Sequence, residues 1–127
     1  MVSVGVDIIE IERVGRAIER WGERFLGHVY TPAELAYCQG RIPELAARFA
    51  AKEAIAKALG TGLVGIGWRE MEVLPDLLGK PLVQLYGRAQ ARAQALGLGD
   101  LAISLSHARD YAVASVVALG APGAEAE

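Results

Sequence analysis

The chain has 127 residues, 53% of them hydrophobic, with a formal net charge of −2 and a mean hydropathy of +0.28. Such a chain forms one domain with a real core, and its slightly acidic balance argues against a general nucleic-acid binder. No uncharged apolar run reaches membrane-spanning length, the N-terminus opens in strand-like sequence without a basic leader, and the lone Cys38 fits a reducing compartment. A cytoplasmic protein without a membrane role is expected.

Residues 2–9 alternate, with Val2, Val4, Val6 and Ile8 on one side and Ser3, Gly5, Asp7 and Ile9 on the other, which predicts a first strand. A helix is expected over 11–25. Thr31, Pro32 and Glu34 then spell a helix start, with Thr31 as N-cap and Glu34 closing a capping box. The next helix begins near Pro43 or Glu44 and stops at Gly60. After a glycine-rich loop, residues 68–74 and 82–86 read as two strands joined by a turn containing Gly79, Lys80 and Pro81. A helix over 87–96 and two strands over 102–106 and 111–119 complete the pattern. The order predicts a single α+β domain over 1–119 with a mostly antiparallel sheet packed with helices, and a disordered tail over 120–127.

Three clusters of polar side chains sit in apolar surroundings. Asp7 follows Gly5 on the first strand. Arg48, Lys52, Glu53 and Lys57 punctuate an alanine-rich helix, where Glu53 and Lys57 share a face. Ser104, Ser106 and His107 close a strand. Two carboxylates from separate elements suit a hard Mg²⁺ ion, which also takes water and phosphate oxygens, and nearby cations suit the remaining phosphate charge. Singly, each cluster has an ordinary structural explanation: an (i, i+4) ion pair, a turn histidine, hydroxyls satisfied within a sheet. The residues alone point to a Mg²⁺–phosphate site and go no further.

Together the clusters resemble the holo-acyl-carrier-protein synthase family, the small single-domain 4′-phosphopantetheinyl transferases. The matched stretches are 5–13, 48–60, 104–107 and 111–114, with Gly79-Lys80-Pro81 at the family's glycine–proline turn. One departure is Ser3, where the family often has glycine; a minor effect is expected. The resemblance implies the 4′-phosphopantetheinyl transferase fold and transfer of phosphopantetheine from coenzyme A to a serine of an apo acyl carrier protein, in fatty acid biosynthesis. It implies Asp7 and Glu53 as Mg²⁺ ligands and, with Lys57, as the catalytic group. Lys57 would contact the pyrophosphate, while Arg48 and His107 would hold the 3′-phosphate. Gly60, Gly62, Gly79, Lys80, Pro81, Ser104 and Ser106 would line the rest of the coenzyme A site. The proton acceptor stays open among Glu53, a metal-bound water and a carboxylate of the carrier.

Arg13, Arg16, Arg20 and Arg24 fall at i, i+3, i+7 and i+11, a basic stripe interspersed with Glu12, Glu19 and Glu23. The resemblance makes this stripe the docking surface for an acidic carrier protein, and it implies a homotrimer with active sites across subunit boundaries. Two other readings use the same residues: a Mg²⁺-dependent hydrolase of nucleotide pyrophosphates, and a non-catalytic coenzyme A-binding module.

Overall fold

The computed structural model describes residues 1–120. In chain order the elements are β1 (Val2–Glu10), α1 (Ile11–Trp21), α2 (Glu23–Val29), α3 (Pro32–Cys38) and α4 (Ile42–Ala58), then a 3₁₀ turn (Trp68–Glu70), β2 (Met71–Pro75), β3 (Pro81–Leu85), α5 (Gly87–Ala95), β4 (Leu98–His107) and β5 (Tyr111–Gly120). Strands β1, β5 and β4 pair antiparallel in that order, and β2 and β3 form a separate antiparallel hairpin. The expected α+β architecture with antiparallel pairing is present. Of the expected tail, Gly120 closes β5 and residues 121–127 lie outside the described ones.

Local chemistry explains the element ends. Thr31 caps α3 as expected: its hydroxyl accepts from the Glu34 amide, and the Glu34 carboxylate accepts from the Thr31 amide. The helix expected over 11–25 is instead broken at Gly22, whose φ of 52° and ψ of −129° suit a residue without Cβ. The Gly22 amide closes α1 on the Ile18 carbonyl, and the chain restarts as α2, which carries Arg24 away from the helix of Arg13, Arg16 and Arg20.

The core lies between α4 and the inner face of the three-stranded sheet. Ala50, Ala51 and Ala54 of the helix and Ala112, Ala114 and Ala118 of β5 are all fully buried. Small residues on both sides let helix and sheet approach closely. Gly5 marks the tightest point, since a Cβ there would collide with the backbone carbonyl oxygen of Ala54. Two residues earlier, the Ser3 hydroxyl donates to the Ala58 carbonyl at 2.6 Å, satisfying one of the last carbonyls of α4. Serine at this position therefore ties β1 to α4.

The inner face of β1 carries Ser3, Gly5, Asp7 and Ile9, while its more apolar residues point outward. Val4 is 66% exposed and Ile8 62%. Across the ladder Val2 faces Leu119 and Val4 faces Val117, both partners also exposed, so these rows form an apolar patch on the outer face of the sheet.

Candidate active site

Gly5 brings β1 against α4, and this close approach delivers Asp7 beside the helix. The Lys57 ammonium donates to the Val6 carbonyl at 2.8 Å and to Asp7 Oδ1 at 3.2 Å. Asp7 is largely enclosed, and the Lys57 side chain remains 52% exposed. Glu53 stands one helical turn before Lys57, half-buried, with no hydrogen bond or ion pair from the protein among the described residues. Its carboxyl is pushed above the usual range, first by burial and then by the Asp7 charge, with Lys57 and Arg13 opposing. Two carboxylates thus repel one another at a rim reached by Lys57 and Arg13. Among the described residues no three or more His, Cys, Asp or Glu side chains form a closed metal cage. An all-oxygen pair with an uncommitted carboxylate fits a divalent cation that draws its other ligands from water and phosphate.

A second cluster occupies the other side of α4. Glu44 and Arg48 are one turn apart, and each lies nine residues from Glu53 or Lys57, about 180° around the helix. The Arg48 guanidinium donates from Nε to the Val73 carbonyl at 3.1 Å, bonds Glu44 at 3.0 Å, and lies 4.6 Å from the centre of the Tyr37 ring. His107, on the inner face of β4, has Nε2 at 3.8 Å from Glu44. Tyr37, Glu44, Arg48, Gly79, Pro81 and His107 line a hollow of about 240 Å³. It contains four of the residues singled out in the sequence, Arg48, Gly79, Pro81 and His107. Tyr37 and Glu44 were not foreseen. The (i, i+4) spacing of Glu44 and Arg48 was the available signal.

Other sequence-marked residues fall elsewhere in the chain. Gly60 and Gly62 (φ 77° and 57°) turn the chain as it leaves α4. Lys80 is exposed in the hairpin turn, its amide bonded to Asp76 Oδ1. Ser104 and Ser106 are exposed on the outer sheet face, in the rows of Val6 and Ile8, whereas Leu105 between them points inward. Lys52, which the sequence cannot distinguish from Lys57, is fully buried. Within one chain β5 separates Asp7 on β1 from His107 on β4, which also lies two residues along the ladder, about 12 Å at the usual strand spacing and rise.

Arg13, Arg16 and Arg20 are exposed on α1. Arg16 pairs loosely with Glu12 at 3.7 Å, and Arg20 lies 5.0 Å from the ring of the exposed Trp21. Arg24 is exposed on α2.

Residues 3–116 match the 4′-phosphopantetheinyl transferase superfamily, and the chain belongs to that family of transferases. Within it, the relatives are holo-acyl-carrier-protein synthases. That of Herpetosiphon aurantiacus is 52% identical, over 94% of this chain and 100% of its own. One from Dehalococcoides mccartyi is also 52% identical, over 93% and 98%. Among solved structures, the Neisseria meningitidis enzyme has a TM-score of 0.85 at 37% identity, covering 94% of this chain and 99% of its own. The Helicobacter pylori enzyme, solved in complex with coenzyme A, has a TM-score of 0.85 at 27% identity, covering 91% and 99%.

Proposed function

We propose that this chain transfers 4′-phosphopantetheine from coenzyme A to a serine of an apo acyl carrier protein, giving the holo carrier and adenosine 3′,5′-bisphosphate, in the cytoplasmic synthesis of fatty acids. The observation that carries the proposal is the meeting of Asp7, Glu53 and Lys57 where β1 crosses α4. Relatives named for this reaction, one of them solved with coenzyme A, support it.

Asp7 and Glu53 would hold Mg²⁺, which when bound neutralises pyrophosphate charge as a Lewis acid. Lys57, anchored to Val6 and Asp7 yet half open, sets its ammonium against the pyrophosphate and stabilises charge developing on the leaving bisphosphate. The carrier serine oxygen forms a bond to the β-phosphorus, and the phosphoanhydride bond to the α-phosphate breaks. The electron pair leaves with adenosine 3′,5′-bisphosphate, and the serine proton passes to a carboxylate, from Glu53 or from the carrier. Arg48 and His107, at the hollow beneath the hairpin turn, take the 3′-phosphate, and Gly79, Lys80 and Pro81 border the nucleoside. Gly60 and Gly62 leave the backbone beyond α4 open to the substrate. Arg13, beside Glu53, and Arg16, Arg20 and Arg24 beyond it receive the acidic carrier.

The two halves of this site lie on opposite sides of α4. We assign the complete site to a boundary between copies in a homotrimer joined through the apolar outer sheet face, where Ser104 and Ser106 also lie. A hydrolase would need no basic stripe, and a binding module would need no uncommitted carboxylate.

Intact-mass spectrometry of an apo carrier incubated with the protein, coenzyme A and Mg²⁺ tests the reading. A gain of one phosphopantetheine that chelation and Glu53→Gln both abolish is the expected result. Release of the bisphosphate without modification of the carrier indicates the hydrolase, and binding without turnover the module.

A further inference from the structure

Strand β2 pairs with β3 on one edge only, and among the described residues no strand borders the other. Side chains take that place. The Lys52 ammonium donates to the carbonyls of Met71 at 2.7 Å and Trp68 at 3.0 Å, and to Glu34 Oε1 at 2.7 Å. Glu34 Oε2 accepts from the Val73 amide at 2.8 Å, and Arg48 Nε donates to the Val73 carbonyl. Lys52 and Glu34 are both fully buried, every polar atom is partnered, and neither lines the hollow that holds Arg48. Three ammonium hydrogens meet three acceptors, so the pair is complete within the protein.

Val73 is therefore held from both sides: Glu34 fixes its amide, and its carbonyl fixes Arg48. With Nε on Val73 and Nη1 on Glu44, the guanidinium is locked in rotation, and Nη2 carries no protein bond among the described residues. A planar donor fork recognises phosphate only when its plane is correctly set.

We propose that Glu34 and Lys52 are positioning residues for Arg48: the buried pair sets, through Val73, the plane in which Arg48 meets a phosphate monoester in the hollow beneath the hairpin turn. This rests on the reading of that hollow as the subsite for the 3′-phosphate.

Titration calorimetry with adenosine 3′,5′-bisphosphate and with AMP, which differ only in the 3′-phosphate, tests it. The double variant Glu34→Gln/Lys52→Met removes both charges and leaves no buried ion unpaired. The wild-type protein binds the bisphosphate more tightly. In the double variant that preference falls about tenfold or more, while AMP affinity and the far-UV spectrum are retained. An unchanged preference, or equal loss of both ligands, overturns the inference and leaves the pair as scaffolding. No preference in the wild-type protein overturns the subsite reading, and the inference with it. Should the double variant not fold, Glu34→Asp keeps the charge beside Lys52 but withdraws the oxygen from Val73. A smaller loss of preference is then expected, and full preference overturns the inference.

Discussion

Lys52 and Lys57 sit five residues apart on one helix, and the chain treats them in opposite ways. Lys52 is enclosed with Glu34 and backbone carbonyls, each of its hydrogens answered within the protein. Lys57 touches Val6 and Asp7 yet stays half open, next to a Glu53 carboxylate without a protein partner among the described residues. Burial of an ion is tolerated only with full internal pairing, so the first arrangement holds a fold together. The second leaves charge for something that arrives from outside. Adjacent residues on α4 thus divide into a closed side against β2 and an open side against β1.

The contrast can be broken at its open side first. Glu53→Gln is expected to lower transfer on the order of a hundredfold or more with little change in thermal melting, because the lost charge serves the ligand and not the fold. Lys52→Met alone should do the reverse. It strands the Glu34 carboxylate, costing about 3–5 kcal/mol in a denaturant titration. Gly5→Ala attacks the crossing itself. Overpacking against Ala54 is expected to cost about 1–3 kcal/mol and to reduce transfer as well, since Asp7 is lifted from Glu53. Arg13→Glu leaves the fold intact and should raise the KM for the carrier about tenfold, well beyond its effect on the KM for coenzyme A.

The smallest effect is expected on the closed side. Tyr30 is fully buried, donates to the Leu45 carbonyl at 2.6 Å, and has its phenol pushed well above the ordinary value of 10.0 by burial. The unfolded chain releases this proton near that ordinary value and the folded chain does not. The stabilisation is therefore complete below it and is lost as the pH rises beyond it. Tyr30→Phe should cost about 1 kcal/mol at neutral pH and flatten the alkaline fall in denaturation midpoint. An alkaline limb unchanged by the substitution would assign that fall to other groups.

What was legible in the sequence was local. The capping box at Thr31 and Glu34, the alternation of β1 and the long helix ending before Gly60 are each set by neighbours within a few residues, and they appear where expected. Long-range partners were not legible. Nothing near Lys52 in the chain says that Glu34 will meet it, so the two lysines read alike. Glu34 announces itself as a cap but not as the partner of Lys52 and Val73. The alternation of β1 marks two faces without saying that the apolar one turns outward. The inner face belongs to small residues, because α4 must come close. The arginine periodicity runs straight through Gly22, where the left-handed backbone breaks the expected helix. For the site, the sequence singled out Asp7, Glu53, Lys57, Arg48 and His107 but not their division between two sides of one helix.

The charged side chains along β2 carry one more consequence. A strand edge with open amides and carbonyls is a template on which another chain can add, and proteins commonly guard such edges with lysine or a covering element. Here the carbonyls of Met71 and Val73 and the Val73 amide are already taken by Lys52, Arg48 and Glu34. At high concentration, or during synthesis once α3 and α4 have docked, the outer edge of β2 has no open row on which a neighbouring molecule can start an aggregate.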